Sequence, residues 1–352
     1  MKGTTDRIYT RDSNMELARI VAMSMILIWH FVLLGLQGED RFLAKDSFGE
    51  LQVDQYVQIA VSIICICGVN LFVLISGYYR IKLRWKSLLN YYCLCLFYNL
   101  LIVGVSSVYE TVGLHSVLSC FLISRTNNWF FKAYFILMLV SPVLNAALDA
   151  FSLRQLRMIA LIILMLTCLT GWMLRNGNED GYNCMQLMAM YLFGGYLSKE
   201  TCFDRIDAKL AICCFGIICL LSYLIAMIVY YLMGKEITTL LHYNYFLIVI
   251  ESICLFLFFL KLSVKSRIVN KIASTVVGCM FVQEAIGRPL YSFIHSYFMR
   301  DGFTAELFLY LALIFIAIFI LAFVLETVRK ALFRGIVDIG SEKLESIVSL
   351  HF

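Results

Sequence analysis

One arginine and one histidine near the start of the chain are spaced so that a helix would place both on the same side. Arg19 and His30 are eleven positions apart in an apolar run. At about 100° per residue, they differ by roughly 20° in direction and about 16 Å in height. This face could present a cation near one membrane surface and a titratable base deeper in the bilayer. The structural alternative is that Arg19 reaches lipid phosphates while His30 hydrogen bonds a neighbouring helix.

A carboxylate in a later apolar segment is predicted to reach the depth of His30. Glu284 lies about twelve residues into its segment, and His30 lies about thirteen residues into its own. A carboxylate beside His30 would fix the tautomer of the imidazole and increase its basicity, as a general base requires. Arg288 follows four residues later and could instead pair with Glu284 on the same helix. Pro289 interrupts the backbone ladder there, and broken helices at membrane depth tend to line cavities.

The densest basic cluster of the chain follows the second apolar segment. It contains Arg80, Lys82, Arg84 and Lys86. Guanidinium groups bind phosphate through paired hydrogen bonds, so this loop could hold an anionic ligand. The simpler interpretation is a cytoplasmic anchor that follows the positive-inside rule.

Four further residues are candidates for substrate binding. Asn70 is a polar group inside the second apolar segment. Trp129, Lys132 and Tyr134 begin the fourth segment, where they would offer a cation and two aromatic rings to a sugar. Trp129 and Tyr134 would also be ordinary anchors at the membrane interface.

The elements that position these residues are predicted to be membrane spans. The chain of 352 residues is 61% hydrophobic and 15% charged, against about 45–50% and 25% in soluble domains. We therefore predict an all-α, polytopic membrane bundle of about ten transmembrane helices, each about 20 residues long. The predicted spans are 17–37, 56–79, 87–108, 128–148, 156–174, 183–197, 208–233, 240–262, 272–298 and 304–333.

The distribution of lysine and arginine predicts the orientation. With a cytoplasmic N-terminus, the cytoplasmic loops hold 20 of the 29 basic residues, the opposite loops hold 6 and the spans hold 3. Positive charge is retained on the cytoplasmic side, so both termini are predicted to lie there. We interpret residues 1–352 as a single membrane domain with three parts. These are a cytoplasmic N-terminus (1–16), the bundle (17–333) and a cytoplasmic tail (334–352).

Several function classes are disfavoured by the same observations. The net charge of +5 does not indicate nucleic-acid binding, because the basic residues follow topology rather than one face. The thirteen cysteines lie mostly in apolar runs without ligand spacing, so no metal site is expected. The first apolar run is too long for a signal-peptide core, and we expect it to remain as the first span.

Motifs in four parts of the chain resemble the bacterial membrane acyltransferase family 3. That family is characterised by a basic residue, ten intervening residues and a histidine in its first helix, which Arg19 and His30 match. The other resembling segments are 68–78, Trp129-Phe130 with Tyr134 and Ser141-Pro142, and 273–291 with Gln283-Glu284 and Pro289-Leu290. The resemblance runs from about residue 14 to residue 330, nearly the whole chain.

Two positions depart from the family pattern. The family often shows Arg-x-x-Arg after the second helix, whereas Arg80 and Arg84 are separated by three residues here. Gln283 stands where the family usually has histidine. The first departure concerns contacts to the acyl donor, and the second could alter acceptor choice or reduce activity.

The resemblance implies transfer of an acyl group, which we expect to be acetyl, from cytoplasmic acetyl-CoA to a hydroxyl of a cell-envelope polysaccharide or glycolipid. His30 and Glu284 would be catalytic, without a metal or a covalent serine intermediate. Acyl-CoA would contact Arg19, Arg80, Lys82 and Arg84, and the acceptor would contact Asn70, Trp129, Lys132, Tyr134 and Arg288. The expected location is the bacterial cell membrane. A secondary transporter or flippase for a glycan-related substrate, or a family member without catalysis, are the alternatives.

Overall fold

The computed structural model describes residues 12–38, 50–123, 128–169, 179–234 and 237–347. Within these ranges the regular elements are helical. In chain order they are α1 (Ser13–His30), α2 (Val53–Ile66), α3 (Gly68–Tyr79), α4 (Trp85–Ser106), α5 (Leu114–Ser119), α6 (Trp129–Ala150), α7 (Leu153–Thr167), α8 (Cys184–Leu197), α9 (Ala208–Met233), α10 (Phe246–Leu260), α11 (Arg267–Ala273), α12 (Val276–Ala285), α13 (Gly287–Asp301) and α14 (Ala305–Ile347). A π-helical segment, Phe31–Leu36, continues α1.

Six helical segments are long and apolar enough to cross a membrane. They are Ser13–Leu36, Val53–Tyr79, Trp85–Ser106, Trp129–Ala150, Ala208–Met233 and Ala305–Ile347. Three shorter apolar helices, α8, α10 and α12, accompany them. The prediction of a helical membrane bundle is confirmed, whereas the number ten and the orientation remain predictions. A helix of about 15 residues rises only about 22 Å, less than the hydrocarbon core of about 30 Å, so length alone does not identify it as a span.

The last helix extends further than the sequence predicts. α14 continues to Ile347, although we expected the bundle to end at residue 333 and a tail to follow. Arg334 and Asp338 are one helical turn apart, and their side chains approach to 3.9 Å. Lys86 of α4 also pairs with Asp338 at 2.7 Å, which ties this extension to the bundle. Charged residues that look like a tail in the sequence are therefore part of the helix.

The buried centre of the bundle is α3. Residues 68–77 are all buried, and α3 packs against α1, α8 and α10. At the crossing with α8 the two backbones approach closely, because Gly77 faces the carbonyl group of Tyr191 and Gly194 faces that of Leu74. A side chain at either glycine would collide with backbone atoms, as is typical of helices that pack through small residues in membranes.

Apolar side chains cover the outer faces of the bundle. α9 and α14 are the most apolar of the long helices, yet only 17% of their most apolar stretches is buried inside the protein. Leucine, isoleucine and phenylalanine side chains project outward along both. An apolar surface of this extent is stable in lipid and would aggregate in water.

Two spans are interrupted at the depth of the candidate site. The π-helical segment begins directly after His30, and π-helical turns are frequent at functional sites. The ninth predicted span is divided into α11, α12 and α13, and the break between the last two lies at Ile286. Pro289 falls in the first turn of α13, where its missing N–H is tolerated. The interruption predicted near Gly287 is present, and it brings the end of α12 towards α1.

Candidate active site

His30 is the last residue of α1 and faces a cavity of about 450 Å³. We call this the His30 cavity. It lies between the π-helical end of the first span, the start of α6 and the break between α12 and α13. Its walls are formed by Trp29, His30, Leu33, Leu34, Asn128, Trp129, Tyr182, Tyr243, Met280, Gln283, Glu284, Gly287, Arg288 and Tyr291.

The imidazole of His30 is held by the side chain of Gln283. Nδ1 of His30 lies 2.8 Å from Oε1 of Gln283. The Gln283 amide is buried, and its Nε2 donates to the backbone carbonyl of Leu27 at 3.2 Å. A backbone carbonyl can only accept, so the NH₂ group must face Leu27 and the oxygen must face His30. Nδ1 therefore carries the proton, and Nε2 of the neutral imidazole is left as a proton acceptor.

Glu284 does not form the contact with His30 that we expected from its depth. Among the described residues, the side chain that hydrogen bonds His30 is that of Gln283, the residue before Glu284. Neighbouring residues on a helix point about 100° apart, so α12 cannot direct both side chains at the same imidazole. Glu284 still lines the His30 cavity, and its Oε2 is buried without a hydrogen-bond partner in the part of the chain described.

Arg288 and Trp129 both line the His30 cavity, and their contact with the acceptor stays a prediction. The structural alternative, a pair between Arg288 and Glu284, is not formed, because Arg288 forms its ion pair with Glu110 in the connection after α4. Trp129 packs its ring against Tyr182 and Tyr243, with ring centroids 5.1 and 5.6 Å away. The three rings form an aromatic wall of the His30 cavity. Aromatic rings of this kind pack against apolar ligand faces and leave polar edges free.

A narrow slot of about 30 Å³ extends from His30 towards the N-terminal half of α1. It shares His30, Trp129, Tyr243 and Met280 with the larger cavity. Its other walls are the side chains of Met23, Ile26, Val69, Phe72, Phe130, Phe131 and Val277. Such a thin apolar space excludes charged groups.

Arg19 occupies the predicted position on α1, below His30 in the direction of the slot. Its Nη1 is 2.5 Å from Oε1 of Glu16, one turn earlier on the same helix. The Arg19 side chain is 25% exposed. It does not line the His30 cavity or the narrow slot. Glu16 thus orients the guanidinium, and this pair was not predicted from the sequence.

The basic loop after α3 is held in a sharp turn. Arg80 has φ +56°, a strained value for a residue with a side chain. Tyr191 stabilises the turn by accepting from the Ile81 N–H at 2.8 Å, and Asn145 donates to the Ile81 carbonyl at 2.9 Å. The Tyr191 hydroxyl in turn donates to Asn145 at 2.8 Å. Helices α6 and α8 therefore fix the direction of this loop. The local sequence of the loop does not predict these contacts.

The cations of this loop are not equivalent. Arg80 pairs with Asp149 at 2.7 Å, and Lys199 approaches the same carboxylate at 3.4 Å. Lys82 and Arg84 are exposed, and no ion pair involves either of them within the described ranges. Most of the charge available to an anionic ligand is therefore on Lys82 and Arg84 rather than on Arg80.

Three predicted acceptor residues do not line the cavity. Asn70 is 1% exposed and donates to the backbone carbonyl of Tyr243 at 2.8 Å, so it supports the aromatic wall from behind. Tyr134 hydrogen bonds Ser76 at 3.2 Å, further along α6. Lys132 is half-buried and lies outside the His30 cavity and the narrow slot. Lys132 follows Trp129 by three residues on α6, which places the two only about 60° apart around the helix axis, so helix periodicity alone does not explain this difference.

Several residues that line or support the cavity wall were not predicted from the sequence. Tyr182 and Tyr243 come from connections between helices, where tyrosine is usually interpreted as an interface anchor. Gln186 donates to the Tyr243 carbonyl at 2.9 Å, beside Asn70. An amide side chain inside an apolar segment can indicate such a supporting contact. This pattern led to the prediction of Asn70 but not of Gln186. Gln283 was noticed as a departure from a family pattern, but its contact with His30 depends on the rotation of α12.

A helical bundle with apolar outer faces and an internal cavity around a histidine defines a multi-pass membrane protein. The chain matches the sequence model of acyltransferase family 3, described as an acyltransferase domain, over residues 12–327. It belongs to this family and is an acyltransferase. No curated protein and no solved structure matches the chain. Family membership favours acyl transfer over the transporter alternative.

Proposed function

We propose that the protein transfers an acetyl group from cytoplasmic acetyl-CoA to a hydroxyl of a cell-surface or exported polysaccharide or glycolipid. The main support for this proposal is the hydrogen bonding of His30. Its tautomer leaves Nε2 as a base, and the residue lines a cavity. The site would lie in a bacterial cell membrane, within ten spans and with both termini in the cytoplasm. The 20-to-6 charge bias supports this orientation.

The donor enters from the side of the basic loop in this proposal. Lys82 and Arg84 are exposed and bind the phosphates of CoA, while Arg80 and Arg19 are already paired with carboxylates and set the geometry of the entrance. The pantetheine arm is thin and uncharged. The apolar side chains of the narrow slot beside His30 suit this arm better than any phosphate group, and the slot, at about 30 Å³, must widen to admit it.

The chemical step needs one base and one leaving group. Nε2 of His30 accepts the proton of the acceptor hydroxyl as its oxygen attacks the thioester carbonyl. A C–O bond forms, the C–S bond breaks, and the departing CoA thiolate takes the proton from His30. The products are an ester and free CoA. Gln283 keeps Nδ1 protonated throughout, and a positioned base of this kind contributes about 10²–10⁴-fold in rate.

The acceptor is proposed to be a carbohydrate because of the aromatic residues that line the His30 cavity. Trp129, Tyr182 and Tyr243 line it together and pack against one another. The C–H face of a sugar packs on aromatic rings, while its hydroxyls reach nearby polar groups. Arg288 and Glu284 line the same cavity and provide those polar groups.

The first test is the O-acetyl content of the host's surface glycans, measured by NMR. The wild-type strain, a deletion strain, and the deletion strain complemented with His30→Ala or His295→Ala are compared at equal protein abundance. His295 is the control, because it contacts the Leu36 carbonyl and does not line the His30 cavity. We expect one acetyl signal to disappear in the deletion strain and with His30→Ala, and to persist with His295→Ala. Unchanged glycans in the deletion strain would contradict the proposed acceptor.

A further inference from the structure

A second cavity lies beside the candidate active site. Its volume is about 250 Å³, and we call it the polar cavity. It is formed by the C-terminal end of α4, by α5 with the connection before it, and by one residue of α12. Its polar lining includes Asn99, Ser106, Glu110, Ser116, Ser119 and Glu284.

Two features connect the polar cavity to the His30 cavity. Glu284 lines both cavities. Arg288, on the wall of the His30 cavity, forms an ion pair with Glu110, on the wall of the polar cavity. The two cavities are therefore neighbours. The buried Oε2 of Glu284 lacks a hydrogen-bond partner among the described residues, and a hydroxyl group would satisfy it.

The charge of the polar cavity indicates which substrate it suits. Hydroxyl, amide and carboxylate groups line it, and none of its described lining residues is a lysine or arginine that could bind the phosphates of CoA. A neutral molecule with many hydroxyls is complementary, because serine and asparagine side chains both donate and accept. The polar cavity is also remote from the basic loop. The two lie at opposite ends of α4, whose 22 residues rise about 33 Å.

We infer that the polar cavity binds a sugar unit of the acceptor and presents one of its hydroxyls to His30 past Glu284. This inference rests on the proposed function and deepens it. It places the acceptor on the opposite end of α4 from the donor phosphates. Glu284 then acts as a positioning residue that hydrogen bonds the hydroxyl before His30 removes its proton. The new ester forms at the boundary of the two cavities, and CoA leaves by the slot through which it entered.

The test uses full-length protein in lipid nanodiscs with radiolabelled acetyl-CoA. The acceptor probe is the host's envelope glycan after removal of its O-acyl groups by mild alkali. Ser106→Phe fills the polar cavity. Ser107→Phe is the matched control, because Ser107 is the exposed neighbour and does not line the cavity. Transfer to glycan, and hydrolysis of acetyl-CoA without glycan, are measured separately.

We expect Ser106→Phe to raise the KM for glycan by about tenfold or more, because the substitution removes one or two polar contacts. The KM for acetyl-CoA and the hydrolysis rate should match those of Ser107→Phe and of the wild type. If Ser106→Phe does not fold, Ser106→Ala should still raise the glycan KM by about two- to fivefold. An unchanged glycan KM in the folded variants would overturn the inference and leave acyl transfer intact. Failure of the wild type to acetylate the glycan at all would instead overturn the proposed function, and this inference with it.

Discussion

Nδ1 of His30 and Oε1 of Gln283 are 2.8 Å apart, and this contact fixes the state of the proposed base. The glutamine is itself oriented by the Leu27 carbonyl, so the two helices α1 and α12 hold the imidazole together. Gln283→Met keeps a similar volume but removes the acceptor, which frees the imidazole to adopt the wrong tautomer. We expect kcat to fall by about 10- to 100-fold, with little change in the KM for either substrate.

The conservative variant of the same position distinguishes positioning from packing. In Gln283→His, one ring nitrogen can accept from His30 while the other donates to the Leu27 carbonyl. We expect kcat to stay within about fivefold of the wild type. The measurement is steady-state acetyl transfer by purified protein in nanodiscs. Equal losses in the two variants would show that Gln283 only fills space.

The basic loop should bind the nucleotide end of the donor. Lys82→Ala combined with Arg84→Ala removes two exposed cations, so the KM for acetyl-CoA should rise by about 10- to 100-fold. S-acetylpantetheine lacks the phosphates and should be used equally well by the variant and the wild type. Arg154→Ala, which changes an exposed arginine in the first turn of α7 on the same predicted face, serves as the control. A comparable defect with both donors would contradict phosphate binding by this loop.

The close crossing of α3 and α8 should tolerate no side chain at Gly77. A methyl group there meets the backbone carbonyl of Tyr191, and backbone atoms cannot move aside as a flexible side chain can. Gly77→Ala should lower the free energy of unfolding by about 1–3 kcal/mol. Gly216→Ala in α9 is the matched control, because its added methyl group enters open space and the substitution should stabilise by up to about 1 kcal/mol. The melting temperatures of the two variants are measured in the same detergent. Equal melting temperatures would contradict a close approach of the α3 and α8 backbones at Gly77.

A carboxylate outside the spans should make stability depend on pH. The Tyr196 hydroxyl, at 2.6 Å, and the Arg157 guanidinium, at 2.7 Å, lower the pKa of Glu200 to about 2. Because the folded pKa is depressed, the stabilisation is complete above the ordinary carboxyl pKa of about 4.3 and is lost as pH falls towards 2.

The variant Glu200→Gln should therefore lose part of the fall in melting temperature between about pH 4.3 and pH 2, the window set by these two pKa values. Glu345→Gln, at the exposed end of α14, should retain the wild-type slope. The apparent melting temperature of each protein is measured in detergent across this range. A slope in Glu200→Gln equal to that of the wild type would show that the cluster does not contribute.

The relation between Arg19 and His30 could be predicted because both lie on one helix, where the angle per residue is known. The break near Pro289 could be predicted for the same kind of local reason. The partner of His30 could not, because Gln283 and Glu284 are consecutive and only the packing of α12 against α1 decides which one faces the imidazole. Likewise, the pairing of Arg80 with Asp149 joins residues on different helices, and no local pattern links them.

The tryptophans of the chain give the candidate site an optical property. Two of the four, Trp29 and Trp129, are on the walls of the His30 cavity. Indole emission responds to the polarity and the quenching groups around the ring. A donor or acceptor that displaces water from this cavity therefore changes the intrinsic fluorescence of the protein without any added label. Occupancy of the site can be titrated in a cuvette, and the Trp129→Phe and Trp29→Phe variants assign the signal to one wall or the other.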